Sequence, residues 1–320
     1  MVNKLDSVLV SILVSGLVSG AVSGCSHCGT KVTSASQPRA AAGAEVVLVH
    51  GDARVGTYIS KQSAFSTSSY WIEGPTGLIL IDTQFLFSAA EELVNWAEQV
   101  TGKKAVLAIV LHPNPDKFNG TAVLQKRGIR VVTSEQVLQM IPSVHEDRHH
   151  WFYDRYKPDY PDVAPVLESF GAVTREIEAA GLKIKAHVLG AGCSEHHVVV
   201  EYDNHVFVGD LVANNHHSWL EIGKTDEWLK RLAEIRRLKP EFVHPGRGAN
   251  GGPELLDREE SYLKHVMALV ARAHPRMPVN DQAIAHIQTQ LEKDYPGYGN
   301  AYFLESGLPA EWERQAAARK

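Results

Sequence analysis

Histidine, cysteine and aspartate are the side chains with which proteins hold zinc, and this chain sets them beside segments that read as buried strands. The apolar run Val106 to Leu111 delivers His112 at its C-terminal end, followed by Pro113-Asn114-Pro115-Asp116-Lys117-Phe118-Asn119-Gly120. Cys193 is followed closely by His196 and His197, which open a further strand. Strand neighbours point to opposite faces, so only one of that pair can face the interior groove. Asp210 comes straight after the strand around 205–209, with His216 and His217 beyond it, and His244 stands shortly before Arg247. Two chemistries are open to such residues. A bound metal can polarise a carbonyl, or a thiol beside an imidazole can act as nucleophile and base. Lys117 and Arg247 do not ligate metals, because neither carries a free lone pair near neutral pH. Most of the sixteen histidines read as hydrogen-bonded or surface residues. His216, in the loop after Asp210, is the one best placed to face a substrate.

The elements that must position these residues alternate between strand and helix. Strands are expected at 46–49, 69–72 and 78–81, the last two flanking the turn Gly74-Pro75-Thr76-Gly77. Leu93, Trp96 and Val100 share one face of a helix over 89–100. After the strand ending at His112 come a helix (120–127), a strand (129–133) and a helix (134–140). Residues 143–170 break the pattern with His145, His149, His150, Trp151, Phe152, Tyr153, Tyr156 and Tyr160 among prolines and charges. They read as an insertion, either an aromatic lid over a site or a surface excursion packed on itself. Strands at 183–189, 197–202 and 205–209 follow, the last two as a hairpin turning at Asp203-Asn204. A helix (228–238) and a short strand (241–244) lead into Pro245-Gly246-Arg247-Gly248. From Pro253 onward the pattern is helical, through 262–273 and 281–291. The alternation predicts an α/β layered fold.

The segment from His112 to Gly120 resembles the His-x-His-x-Asp-His signature of the metallo-β-lactamase superfamily, including the glycine that opens the next helix. The resemblance continues in order. Gly77 to Thr83 is similar to the early strand with its aspartate, here Asp82. Gly192-Cys193-Ser194 stands where the family has Gly-His-Ser/Thr, Phe207-Val208-Gly209-Asp210 where it has the metal-bridging aspartate, and Pro245-Gly246-Arg247-Gly248 where it has Pro-Gly-His-Gly. This resemblance implies a four-layer αββα sandwich over residues 45–252, with 253–320 as a C-terminal helical extension. It also implies a groove that in the family holds two zinc ions. His112, Asp116, Cys193 and Asp210 fall on ligand positions with ligand-type residues. Asn114, Lys117, Cys193 and Arg247 fall where the family has histidine. The metal position using Asp116, Lys117 and Arg247 is therefore expected to be lost. In the family two zincs, two aspartates and a hydroxide leave a net charge near +1. Here Lys117 and Arg247 balance Asp116 and Asp210 with no metal at all, which would keep two buried carboxylates from facing each other unpaired.

Three activities are compatible with this set. The domain could be metal-free, keeping its groove for a small molecule or partner. It could be a hydrolase with one zinc on His112, Cys193 and Asp210, with Asp116 as base or orienter, acting on an ester, lactone or β-lactam-like amide. Or Cys193 could be a nucleophile beside His196 or His197. The expected cofactor is none or one zinc ion, and the expected catalytic residues are Asp116, Cys193 and His216.

The rest of the sequence bounds the setting. Of 320 residues, 44% are hydrophobic and 22% charged, enough for a packed core rather than disorder. A net charge of −5 leaves no basic footprint for nucleic acid. Lys4 and the small, apolar run Val8 to Val22, too short to span a bilayer, read as a signal peptide over residues 1–25. Its end, Val22-Ser23-Gly24-Cys25, resembles a bacterial lipobox. Cys25 is then the lipidated membrane anchor, residues 26–44 a flexible tether, and the expected location is the periplasmic face of an outer membrane. Cys28 and Cys193 are the only other cysteines, so no disulfide framework is expected.

Overall fold

Two sheets are built from the apolar runs, and the polar junctions between strands and helices gather at one edge of the sandwich. The structure, a computed structural model, describes residues 44–49 and 52–318. The signal segment, Cys25 and Cys28 lie outside the described residues. The first sheet takes its strands in chain order: β1 (Glu45–Val49), β2 (Asp52–Ile59), β3 (Ser68–Gly74), β4 (Gly77–Ile81), β5 (Ala105–Ile109), β6 (Arg130–Thr133) and β7 (Glu168–Ser169). β1 to β4 are antiparallel, and β4 to β7 run parallel through helical crossovers. The crossovers carry α1 (Phe87–Thr101), the short α2 (Pro115–Phe118), α3 (Thr121–Lys126) and α4 (Glu135–Tyr156). β4 is buried at every position, as a central strand covered on both faces must be.

The second sheet has the order β12-β11-β10-β9-β8, built from β8 (Arg175–Ala179), β9 (Leu182–Leu189), β10 (His197–Tyr202), β11 (His205–Ala213) and β12 (Phe242–Arg247). β10 and β11 form the expected hairpin, Tyr202 opposite His205. β11 and β12 run parallel, joined by α5 (Thr225–Arg237). Helices α5 and α6 (Glu254–Arg272) cover the outer face of this sheet. α7 (Asp281–Asp294) and α8 (Leu304–Ala317) pack on α6 in turn. The layers are helix, sheet, sheet, helix, with the C-terminal helices added to the second side. Among the described residues no helix is long and apolar enough to cross a membrane.

Several elements differ from the sequence reading. The helix expected to stop near 140 runs on to Tyr156, with Pro142 inside it. A proline there removes one bond to the carbonyl of Leu138. The turns beyond it are held by Phe152 and Tyr156 packing on Phe85, at ring-centroid distances of 5.2 and 5.3 Å. The segment 143–170 is thus largely a continuation of α4 laid over the sandwich edge. β2, β7 and β8 were not among the expected strands, whereas α8 falls within the expected C-terminal helical extension. β8 is a short, charged edge strand, Arg175-Glu176-Ile177-Glu178-Ala179, whose alternation rests on Ile177 and Ala179 alone.

Candidate functional site

Parallel strands β4 and β5 of one sheet and β11 and β12 of the other end on the same side, and their C-terminal ends supply the polar residues. Such strand ends are where open α/β sheets place their ligands. β4 leads into Asp82, held in a left-handed conformation (φ 61°), whose Oδ1 accepts the backbone N–H of Leu111 at 2.8 Å. That bond fixes the exit of β5 and so aims His112. Burial pushes the Asp82 carboxyl up to about 8. Gly246 lets β12 close against β11, since a Cβ there would lie 1.7 Å from Asp210 Oδ1. Gly120 plays the same part for the helix behind the site, since its Cβ would lie 2.0 Å from the Thr83 carbonyl.

At the centre is a closed quartet of charges. Lys117 Nζ lies 3.0 Å from Asp116 Oδ2 and 2.8 Å from Asp210 Oδ1. Arg247 Nη2 lies 2.8 Å from Asp116 Oδ2 and 3.2 Å from Asp210 Oδ2. Each carboxylate thus touches both cations, and all four side chains are buried. The arginine's other nitrogen, Nη1, donates to the Phe65 carbonyl (2.8 Å) and to Thr67 Oγ1 (2.9 Å), and the Thr67 hydroxyl donates on to Asp116 (3.1 Å). Burial pushes both carboxyls up, but Lys117 and Arg247 outweigh it. Asp116 is held below the usual carboxylate range, and Asp210 well below it. Burial likewise works against the Lys117 ammonium, and Asp116 and Asp210 reverse it. The quartet is fully charged and neutral as a whole.

Beside it sits a second group. The Ser194 hydroxyl donates to Asn114 Oδ1 (3.2 Å), so it accepts from His112 Nδ1 (3.2 Å). The other ring nitrogen, Nε2, faces inward, 3.5 Å from Asp210 Oδ2. His197, not His196, is the member of its pair turned inward, and its Nε2 lies 3.7 Å from Cys193 Sγ. The same Nε2 accepts the Ser194 backbone N–H at 3.2 Å. Burial, then Asp210, pushes the Cys193 thiol well up, while burial pushes His197 well down. A buried neutral thiol is the opposite of an activated nucleophile.

Zinc can be tested against these donors. The position that would draw on Asp116 is filled by the ammonium of Lys117 and the guanidinium of Arg247, so a second metal does not fit. Among the described residues one set of metal-type donors converges, His112, Cys193 and His197, with their ligand atoms within 4.8 Å of one another. This differs from the set His112, Cys193, Asp210, Asp116 expected from the sequence. Both aspartates are engaged by the cations, and His197 stands in their place. The fit is partial, because His197 Nε2 already accepts the Ser194 N–H and His112 Nε2 lies 3.5 Å from Asp210 Oδ2.

The quartet is roofed by aromatic rings from three separate segments. Phe65, in the turn before β3, packs on Phe85 at 4.6 Å and on Phe152 of α4 at 5.6 Å. Phe303, just before α8, lies 5.3 Å from the Arg247 guanidinium. Trp219 packs edge-on against Phe303 at 4.8 Å. His216 is half-buried beneath the C-terminal strap, the segment 295–303 between α7 and α8, its Nδ1 2.9 Å from the Asn214 carbonyl and its ring close against Gly299. It faces the strap rather than an open groove. Two surface concavities, of about 400 and 370 Å³, lie elsewhere, lined by residues such as Arg54, Lys103 and Tyr202, or Gln136, Thr174 and His196. Ser194 stands in the Gly192-Cys193-Ser194 motif without a role of its own, and Thr67 and the roof residues Phe65 and Phe303 lie in no recognisable spacing, so nothing in the sequence singled those three out.

The sequence matches the sequence model of the metallo-beta-lactamase superfamily over residues 63–247. No curated protein matches it. Among solved structures, it is similar to a metallo-beta-lactamase from Pontibacter korlensis, at 20% identity and a TM-score of 0.56, covering 69% of this chain and 99% of that one. It is also similar to the DIM-1 metallo-beta-lactamase (18%, TM-score 0.54, 69% and 97% covered). A third is FIM-1 from Pseudomonas aeruginosa, in its mono-zinc form (16%, TM-score 0.52, 69% and 95%).

Proposed function

Because the chain belongs to the metallo-β-lactamase superfamily, we propose that it is a member in which two internal cations stand in for the second metal ion, so that it does not carry out two-zinc hydrolysis. The observation that supports this is the quartet, in which Lys117 and Arg247 each contact both Asp116 and Asp210 at 2.8–3.2 Å. Metals in such a site neutralise carboxylates and polarise the scissile bond. The cations here do the first and, being buried between their own carboxylates under an aromatic roof, do not reach a substrate to do the second. On this reading the protein works by binding a small molecule or partner. The Val22-Ser23-Gly24-Cys25 sequence supports export and lipidation at Cys25, with residues 26–44 as the tether.

A second reading is favoured by the convergence of His112, Cys193 and His197. One zinc ion held by His112 and Cys193, with His197 or Asp210 third, would supply Lewis acidity toward an ester, lactone or β-lactam-like amide. His197 would have to give up the Ser194 N–H, and Asp116 would act as base only if released from Lys117. The similar structure of FIM-1 is itself a mono-zinc form.

The deciding experiment is metal content by inductively coupled plasma mass spectrometry on the full-length, tag-free chain with zinc supplied, alongside Cys193→Ala and assays on β-lactam, lactone and aryl ester substrates. The cation-substituted reading expects no zinc that depends on Cys193 and no zinc-dependent turnover. One equivalent lost on Cys193→Ala, with turnover, would establish the mononuclear hydrolase instead.

A further inference from the structure

Helix α4 carries histidines that the central site does not use. His145 and His149 are one turn apart and share a helix face, their ring centroids 5.6 Å apart. His145 is only 5% exposed, and neither of its ring nitrogens has a hydrogen-bond partner. Leaving a buried polar group unpaired is destabilising, so such an imidazole calls for an explanation. Opposite the pair is Asp162. Its Oδ1 lies 3.1 Å from His149 Nε2, and its backbone is close enough to His145 to act as a weak hydrogen-bonding partner that favours protonation, though too poorly aligned to satisfy either ring nitrogen. Burial, the largest influence on His145, disfavours its protonated form and leaves a lone pair available.

We propose that His145, His149 and Asp162 form a peripheral binding site for a divalent transition metal of the zinc or cobalt class, separate from the central quartet. Two imidazoles and one carboxylate are a donor set that such ions accept, with water completing the shell. Metal–nitrogen bonds of about 2.0–2.1 Å in tetrahedral array put two ligating rings about 5 Å apart, near the spacing α4 provides. The run His145-Glu146-Asp147-Arg148-His149 also has the His-Glu-x-x-His spacing that sets two imidazoles toward one ion on a helix. The three donors are not yet within one coordination sphere. Turning His149 and Asp162, whose side chains are 28% and 70% exposed, is what closes it. Arg148 points away, paired to Glu221 and stacked on Trp151, and does not repel the ion from this face.

Cobalt(II) titration of the full-length, metal-free chain tests the proposal, followed by visible d–d absorption and by competition with zinc. The Cys193→Ser variant should still bind about one cobalt, with no thiolate charge-transfer band, as expected of an all-nitrogen-and-oxygen site. Loss of an outer-shell partner alone typically costs about 10–100-fold in affinity, so His149→Ala and Asp162→Asn should each weaken binding by at least that much. Both positions are exposed enough for the thermal melt to stay close to that of the unaltered chain, which separates ligation from unfolding. Failure of Cys193→Ser to bind cobalt, or undiminished affinity in His149→Ala, would overturn the site. The second result would reduce His149 and Asp162 to a surface ion pair. Neither outcome bears on the central site, whose metal content is read through Cys193.

Discussion

Replacing Lys117 by methionine removes a buried cation while keeping most of the side chain's volume, and so isolates its charge. The ammonium makes contacts of 3.0 and 2.8 Å to two carboxylates, with side-chain exposures of 0% for the lysine and 7% and 4% for the aspartates. At an effective dielectric near 20, each contact is worth about 5 kcal/mol of attraction, most of it offset by the desolvation of the ammonium. What remains is the cost of leaving a carboxylate underpaired, about 3–5 kcal/mol when a buried pair is broken. For a domain of this size that is a fall in Tm of roughly 10 °C. Urea unfolding at pH 7, followed by tryptophan fluorescence, reads the loss directly. The double variant Lys117→Met with Asp210→Asn, which removes one charge of each sign, should be the more stable of the two. The sign with pH follows from the lowered carboxyls. In the unaltered protein Asp116 and Asp210 contribute stability above their unfolded range, which is lost only as pH falls through their depressed folded values. In Lys117→Met those folded values rise, so the deficit at pH 7 should shrink toward pH 5. A Lys117→Met protein within about 1 kcal/mol of the unaltered chain at pH 7 would refute the reasoning, because the quartet would then be incidental to the fold.

Glu259 of α6 accepts the Ala213 N–H at 2.9 Å and the Ser218 hydroxyl at 2.7 Å, and burial pushes it up to about 7. Its folded value is above its unfolded one, so this contribution is full below about pH 4.5 and is lost as pH rises through about 7. Glu259→Gln, which mimics the protonated form, should flatten the stability profile between pH 5 and 8 by a few kcal/mol, as measured by urea titrations at each pH. Cys193 is 1% exposed with its thiol pushed well up. Iodoacetamide should therefore label it only at the rate of unfolding, and fast labelling of the native protein, read by mass spectrometry, would revive the nucleophile reading. Lys117→His with Arg247→His should make room for metal between Asp116 and Asp210. The double variant is expected to bind about one zinc more than the unaltered chain by mass spectrometry, since imidazoles ligate where the two cations do not.

The fold was legible because long, continuous apolar strands and ordered motifs carry most of it. Val106 to Leu111 and Leu78 to Ile81 are recognisable as central strands, and both are almost wholly buried. What escaped the sequence was either polar at an edge or contrary to a local rule. β8 has charges at three of its five positions. α4 continues through Pro142 because aromatic packing on Phe85 outweighs one missing backbone bond. Of His196 and His197, period-two alternation allowed only one inward, but which one depends on the register of β10 against β9, where His197 pairs with Leu189.

The site divides in the same way. Residue types alone showed that Lys117 and Arg247 cannot ligate metal and that their charges match Asp116 and Asp210, and those four side chains do meet. Position along the chain could not show the aromatic layer, because Phe65, Phe152 and Phe303 come from segments far apart, and only packing brings Phe65 against Phe152 and Phe303 against Arg247. Roof and quartet support each other. A guanidinium that stacks on Phe303 and donates to the Phe65 carbonyl fixes the aromatic layer from below, and that layer excludes the water that would weaken the ion pairs. A metal-binding groove must stay open to admit its substrate. Once two tethered cations neutralise the carboxylates, nothing in the electrostatics requires an opening, and the C-terminal strap is free to close over the centre. On the proposed reading the paired cations and the aromatic layer belong together, and Phe303→Ala is expected to expose Arg247 to solvent with no gain in zinc by mass spectrometry.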